Sequence, residues 1–299
     1  MTPSAPLGAF VFSNPGAYCV SPHPVAQCVP MRFLPAILVP GLLAGCAVSE
    51  TARPTESPQL RPDDTVTART IVELAHKAAG GESWLSPRSL YMDGYAVFYD
   101  DHIPVRHETH RMWRVYPQTK TDARRVDGKV RIRSQRNGAA VLDLAYDGTR
   151  TYTPDGFQAP SDADQRWASN FGFGVIRHAL EPGYRLSRLP DDLVDNRPVF
   201  AVRVTDPAGG TTQFGIARSD HAILRVAFDT PRGWHERVYS DFFTNPGHAW
   251  VQPGRVRLYY DGVKANEVIW TAFAVDQLLP DCLFVLPEVP GCRTGDTAS

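Results

Sequence analysis

The sequence has no Cys-x-x-Cys pair, so its five cysteines (Cys19, Cys28, Cys46, Cys282 and Cys292) match no zinc-ligand spacing. It has almost no net charge, because 31 Lys and Arg against 32 Asp and Glu leave a formal −1. No overall field therefore draws the chain onto nucleic acid or anionic lipid. Catalytic signatures are missing too. There is no Gly-x-Ser-x-Gly elbow, no Gly-x-x-x-x-Gly-Lys phosphate loop, and no histidine beside Cys282. Phe171-Gly172-Phe173-Gly174 is too sparse for a dinucleotide fingerprint and has no strand before it. Asp100-Asp101 and Asp191-Asp192 fall at turn positions, where aspartate is favoured for structural reasons. These absences argue against an enzyme and imply no cofactor and no metal.

Among nine histidines only His102, His107 and His110 lie close together, with Glu108 between them. On a regular strand His107 and His110 point to opposite faces, so a shared metal would need an irregular backbone. Arg124-Arg125, Arg131, Arg133 and Arg136 surround a turn and alternate along a strand, the pattern of a solvated face.

Near the start, Met31-Arg32 supplies one positive charge ahead of the apolar run Phe33 to Leu43, which prolines interrupt and which is too short to span a bilayer. The run ends in Leu43-Ala44-Gly45-Cys46, which resembles the lipobox of bacterial lipoproteins. The resemblance implies cleavage after Gly45, lipid attachment at Cys46, and a membrane anchor. Residues 1–30 contain no Lys or Arg, unlike the start of a signal peptide, so we read them as an extension ahead of a true start at Met31. Residues 31–45 are then the signal peptide. Residues 46–64, rich in Pro and Thr, read as a flexible tether. By the same resemblance, the lack of Asp after Cys46 implies the outer membrane, facing the periplasm. Acyl chains contribute roughly 0.8 kcal/mol per buried methylene, enough together for a stable anchor.

The folded part begins with a helix predicted over Thr67 to Ala79, where Ile71, Leu74, Ala75 and Ala78 recur at helical spacing and Gly80-Gly81 ends it. Thr70-x-x-Glu73 would form a capping box if the helix started late. Strand-length segments follow, separated by Asp127-Gly128, Asn137-Gly138, Asp147-Gly148 and Asp155-Gly156, dipeptides that supply the positive φ of tight hairpins. About a dozen strands in all are expected, with a second helix inserted over Asp162 to Leu180. No strand alternates with a crossover helix, which argues for an antiparallel sheet in a mainly β, α+β fold. Several strands are apolar on both faces. Ser89 to Tyr99 sets Leu90, Met92, Ala96 and Phe98 against Tyr91, Tyr95, Val97 and Tyr99. Glu267 to Val275 sets Val268, Trp270 and Ala272 against Ile269, Phe273 and Val275. A helix, a curled sheet or an apolar ligand must cover each face locally. Cys282 and Cys292 are predicted to form a disulfide in an oxidising envelope, contributing about 2–3 kcal/mol, with free thiols as the alternative.

Several features resemble the outer-membrane lipoprotein-sorting (LolA/LolB-like) superfamily: Ala78-Ala79-Gly80-Gly81 followed by Trp84, the extended Tyr91 to Tyr99, Tyr146-Asp147-Gly148, Asn196-Arg197-Pro198-Val199-Phe200-Ala201-Val202 before Asp206-Pro207, and Leu283-Phe284 before Pro287. The resemblance covers residues 65–286, with 287–299 as a tail. It implies a strongly curved antiparallel sheet, an unclosed barrel, with helices on its concave face and acyl chains held between them. Strand phase and size nominate Met92, Phe98, Trp113, Phe228, Leu258 and Trp270 as lining that space. A lipid-anchored chain cannot shuttle across the periplasm. The expectation is therefore an anchored envelope protein that binds lipid or acyl chains without catalysis. An envelope protein-interaction or sensor lipoprotein is the alternative.

Overall fold

A computed structural model describes residues 66–100, 102–117, 128–159, 173–288, 290 and 292. Every one of them falls within Gln59–Ser299, part of one of the two units into which the chain divides. The lipobox Leu43 to Cys46, the tether, residues 1–30, Arg124-Arg125 and most of the expected second helix lie outside the described residues.

Helix α1 (Ala68–Ala79) starts where Thr67 caps it, the Thr67 side chain accepting from the Thr70 amide at 3.1 Å. The capping box at Thr70 and Glu73 is therefore not used, because the helix begins a turn earlier. Gly80, at φ 130°, ends the helix, and the next amide, Gly81, bonds back to the His76 carbonyl at 2.9 Å. Ile71, Val72 and Ala75 are fully buried. After the short α2 (Glu82–Leu85) come β1 (Ser89–Asp100), β2 (Ile103–Val115), β3 (Lys129–Arg136), β4 (Ala139–Tyr146), β5 (Thr151–Thr153) and β6 (Gly156–Phe157). The second helix is described only as α3 (Phe173–Arg177). The remaining strands are β7 (Arg185–Arg188), β8 (Asp192–Val194), β9 (Arg197–Thr205), β10 (Thr211–Ala217), β11 (Ile223–Thr230), β12 (Gly233–Ser240), β13 (Phe243–Thr244), β14 (Val251–Gln252), β15 (Arg255–Tyr260) and β16 (Val263–Val275).

Fourteen strands form one antiparallel sheet in the order β6-β5-β4-β3-β2-β1-β16-β15-β12-β11-β10-β9-β7, with β8 beside β9. β13 and β14 pair separately. The sheet is unclosed, because β6 and β7 end it without meeting. The fold is thus mainly β with few helices, as the turn dipeptides predicted. Asn137-Gly138, at φ 51° and 77°, makes the β3–β4 hairpin by that chemistry, and Asp261-Gly262, at 47° and 78°, does the same for β15–β16.

The two-sided apolar strands have two separate covers. On the inner face, Leu90, Met92, Ala96 and Phe98 of β1 join the main core with Ile71, Val72 and Ala75 of α1. On the outer face, Tyr91 and Trp113 pack with Leu283 and Phe284 of a C-terminal 3-10 turn, Asp281–Phe284. The Cys282–Cys292 disulfide is formed and closes the segment that carries this turn. In β16, the division of Trp270 from Phe273 and Val275 does not hold, since all three lie in the inner core. The register explains the difference: Asp93 faces Ala272 but Gly94 faces Trp270, so β16 carries one extra residue, Thr271, and its side-chain phase flips there.

Candidate functional site

Among the described residues, the inner face is covered by α1, α2, α3 and the Trp250 loop. His76 ties α1 to α3, its Nε2 lying 2.6 Å from the Ile176 carbonyl. Burial, the dominant influence, holds this imidazole below its ordinary range. Where α1 meets the edge strand β7, a cleft of about 330 Å³ opens, lined by Thr67, Ala68, Arg69, Ala179, Tyr184 and Leu186. Its volume lies at the small end of ligand pockets, about 300–1,000 Å³. Tyr184 and Leu186 also pack against the main core, so the cleft borders its edge.

Beneath the lid the face is not uniformly apolar. Strand phase turns Met112, Arg114 and Tyr116 inward together, so an arginine enters the core beside two apolar residues. Arg177, on α3, is buried and lies over three rings, 4.5 Å from the centroid of Trp84, 4.9 Å from Tyr116 and 5.3 Å from Trp250. Arg114 lies 4.5 Å from the Tyr116 centroid. Both guanidinium groups thus lie close to the Tyr116 phenol. Burial alone would raise that phenol, but the Arg177 and Arg114 charges outweigh it and bring it below its usual range. Arg114 is pushed down to about 10, first by burial and further by the like charges of Arg177 and Arg237, with Tyr116 opposing. Arg237 on β12 donates through Nε to Nε2 of His235 at 2.9 Å. His235 is fully buried between Phe228 and Tyr260, at 5.2 and 4.7 Å between centroids. Burial, reinforced by Arg237, lowers its pKa to about 3.

Toward β3 the histidine cluster behaves differently from its sequence expectation. Gly94 faces His110 while Ala96 faces His107, so β2 has an extra residue between the two histidines. That bulge turns both to the inner face, where each ring packs near Phe98, at 4.5 Å for His107 and 6.2 Å for His110. The expectation of opposite faces is thereby corrected. His110 Nδ1 lies 2.6 Å from the Ser134 hydroxyl, and burial brings its pKa to about 3. Among the described residues no group of three or more His, Cys, Asp or Glu could hold a metal ion.

The nominated lining residues divide. Met92, Phe98, Phe228 and Trp270 are all in the buried inner core. Leu258 is only half-buried, on β15 between Arg237 of β12 and Asn266 of β16. Trp113 lies on the other face under Leu283 and Phe284, because strand alternation puts it opposite Met112. There it borders a small polar pocket of about 70 Å³ with Thr109, Arg111, Arg133 and Gln135. Sequence reasoning missed Arg114, Arg177, Arg237 and His235; for Arg114 the available signal was its phase, in step with Met112. The basic run also departs from a solvated face. Arg131 is 1 % exposed and binds Asp143 through two bonds of 2.9 and 2.8 Å, and Glu288 at 2.6 Å. The returning C-terminal segment buries it.

No protein-family profile matches the chain, and no curated protein is similar to it. Solved structures are similar at low identity. One is an outer-membrane lipoprotein-sorting protein domain from Vibrio parahaemolyticus, 13% identical, covering 72% of this chain and 95% of its own, at a TM-score of 0.45. A second is a DUF1329 family protein from Desulfovibrio piger, 10% identical over 73% of this chain and 96% of its own, also at 0.45. A third is a LolA superfamily protein from Nitrosomonas europaea, 13% identical, covering 73% and 97%, at 0.44. The similarity named from the sequence thus recurs among known structures, at a level where the strand order, not the likeness, carries the description of the fold.

Proposed function

We propose that this chain is a lipid-anchored protein of the bacterial envelope that binds lipid or acyl chains, without catalysis, between the sheet and its helical lid. The observation that carries the binding reading is the cleft of about 330 Å³ between α1 and β7, which opens at the edge of the helical lid over the main core. A lid of that kind can lift from the sheet while the long strands stay paired, and apolar surface exposed beneath it would take up hydrocarbon. The residues that would meet the ligand are Met92, Phe98, Phe228 and Trp270. The anchoring reading rests on Leu43-Ala44-Gly45-Cys46 and is supported by the disulfide, which suits an oxidising compartment. Outer-membrane location is part of the same proposal.

The test uses the full chain carrying Cys46→Ser, exported and purified without its anchor. Native mass spectrometry should detect co-purifying lipid, and added fatty acid should raise the melting temperature. Absence of both would sink the binding reading. The same substitution should move the protein from the membrane to the soluble fraction, and continued membrane association would sink the anchoring reading.

A second reading, a protein-interaction module, is favoured by one edge. β5 pairs only with Ala145 and Tyr146 of β4, while Ala139, Ala140 and Val141 are exposed. An extended partner segment could add there as a strand. In-cell crosslinking from Val141 that captured no envelope protein would count against it.

A further inference from the structure

One rung of paired residues crosses much of the sheet. Ser187 of β7 faces Arg203 of β9, and the pairing runs on through β10, β11, β12 and β15 to Lys264 of β16. The β15–β16 hairpin, with Val263 at its tip, therefore lies at the same end of the strands as Leu186 and the cleft beside it. The β1–β2 hairpin joins them there, because Phe98 faces Asn266 and Asp100 faces Ile103. Thr67 lines the cleft, so the described residues also begin at this end.

Two aliphatic side chains stand exposed on neighbouring hairpins, Ile103 at 65 % and Val263 at 53 %. Close behind them are half-buried rings, each under a cation. Lys264 Nζ lies 5.0 Å from the Tyr99 centroid, and the Arg232 guanidinium lies 4.2 Å from that of Tyr260. Trp234 of the adjoining β11–β12 hairpin is half-buried beside them, its carbonyl accepting from the Asp261 amide at 2.9 Å. Aliphatic tips followed by Tyr, Trp, Lys and Arg match the layering of side chains that settle at a membrane–water interface. Asp100, Asp229 and Asp261 share this end, so the fit is to the apolar depth of the interface and not to an anionic field.

The opposite end exposes Leu193 and Leu278, but five strands separate β8 from β16, so the two stand far apart along the sheet. That end is also farther from the anchor. β16 has 13 residues and spans about 40 Å, whereas the tether read over residues 46–64 has a root-mean-square span of roughly 25 Å. We infer that the end of the sheet bearing the β1–β2 and β15–β16 hairpins rests on the lipid surface that holds the anchor, with Ile103 and Val263 entering its interfacial layer. This rests on the anchored reading and adds the face that meets the membrane. The cleft between α1 and β7 then lies at the membrane-facing end. Two aliphatic side chains bind a bilayer weakly alone, but a short tether holds them at millimolar effective concentration, so anchor and hairpins act together.

The experiment takes the full Cys46→Ser chain, so that no acyl anchor contributes, and measures its partition by sedimentation with vesicles of phosphatidylcholine and phosphatidylethanolamine at millimolar lipid. Weak binding is expected. Ile103→Asn together with Val263→Asn should lower the partition constant about tenfold or more, the loss expected when two aliphatic side chains no longer leave water. Leu193→Asn together with Leu278→Asn, at the opposite end, should leave it unchanged. All four side chains are exposed, so the substitutions leave the core intact. No binding by the parent, no effect of the hairpin pair, or an equal loss from the opposite pair overturns the inference. Fractionation of the lipidated chain reads the anchor separately. A chain that stays membrane-bound through Cys46 but fails here keeps its anchor and loses the docking face, and a chain found soluble with Cys46 intact overturns both.

Discussion

Replacing both Cys282 and Cys292 with serine should destabilise the folded sheet as a whole, even though the bridge sits near the chain's end. The disulfide closes a loop with a sequence separation of 10. In the chain-entropy relation such a loop withholds roughly 9 cal/mol/K from the unfolded chain, about 2.7 kcal/mol at 25 °C. The loss is global because the bridged segment packs on three strands. Leu283 and Phe284 are buried against Tyr91 of β1 and Trp113 of β2, and the Leu283 carbonyl accepts from Arg131 of β3 at 3.3 Å. For a domain of this size each kcal/mol moves the melting temperature by about 2–4 °C, so a fall of roughly 5–10 °C is expected. Urea denaturation of the oxidised parent and the double-serine variant, followed by tryptophan fluorescence, measures the difference. Phe284→Ala, with the disulfide intact, should lose about 3–5 kcal/mol through the cavity it leaves under the turn. If the double-serine midpoint matched the parent's while Phe284→Ala lost its full amount, packing alone would hold the segment, and the loop-entropy reasoning would be wrong.

The ion pairs around Arg131 should be unequal. Asp143→Asn, whose side chain is 9% exposed, is expected to cost about 3 kcal/mol by leaving a buried guanidinium underpaired. Glu288→Gln, at a side chain 43% exposed, should cost about 1 kcal/mol or less. Equal shifts in urea midpoint would contradict this ranking. The buried histidines give a signed pH dependence. His110 and His235 each titrate near pH 3 when folded, through burial first, whereas an unfolded imidazole titrates near 6.5. Between those values the unfolded chain binds more protons, so the stability contributed above about pH 6.5 is lost progressively as pH falls toward 3. His110→Gln should flatten the stability–pH profile over that window by about 1.4 kcal/mol per pH unit, and an unchanged slope would refute the assignment.

Local chemistry determined a large part of this protein in advance. The hairpin dipeptides, the period-two strands, the helix stop at Gly80-Gly81 and the pairing of Cys282 with Cys292 each depend on residues close in sequence, so they were legible there. The apolar inner set of Met92, Phe98, Phe228 and Trp270 was legible for the same reason, since each lies on a strand whose phase holds up to that point. What lay beyond sequence were the positions where strand pairing interrupts the phase. The extra residue at Thr271, and the one between His107 and His110, exist only relative to a partner strand, so alternation counted along one chain assigned those side chains to the wrong face. The charged interior was decided at still longer range. Arg131 is buried by a segment about 150 residues later, and Tyr116 meets Arg177 only when α3 closes over the sheet. Burial is a property of what packs on a residue, and for these arginines the packing partners come from distant parts of the chain.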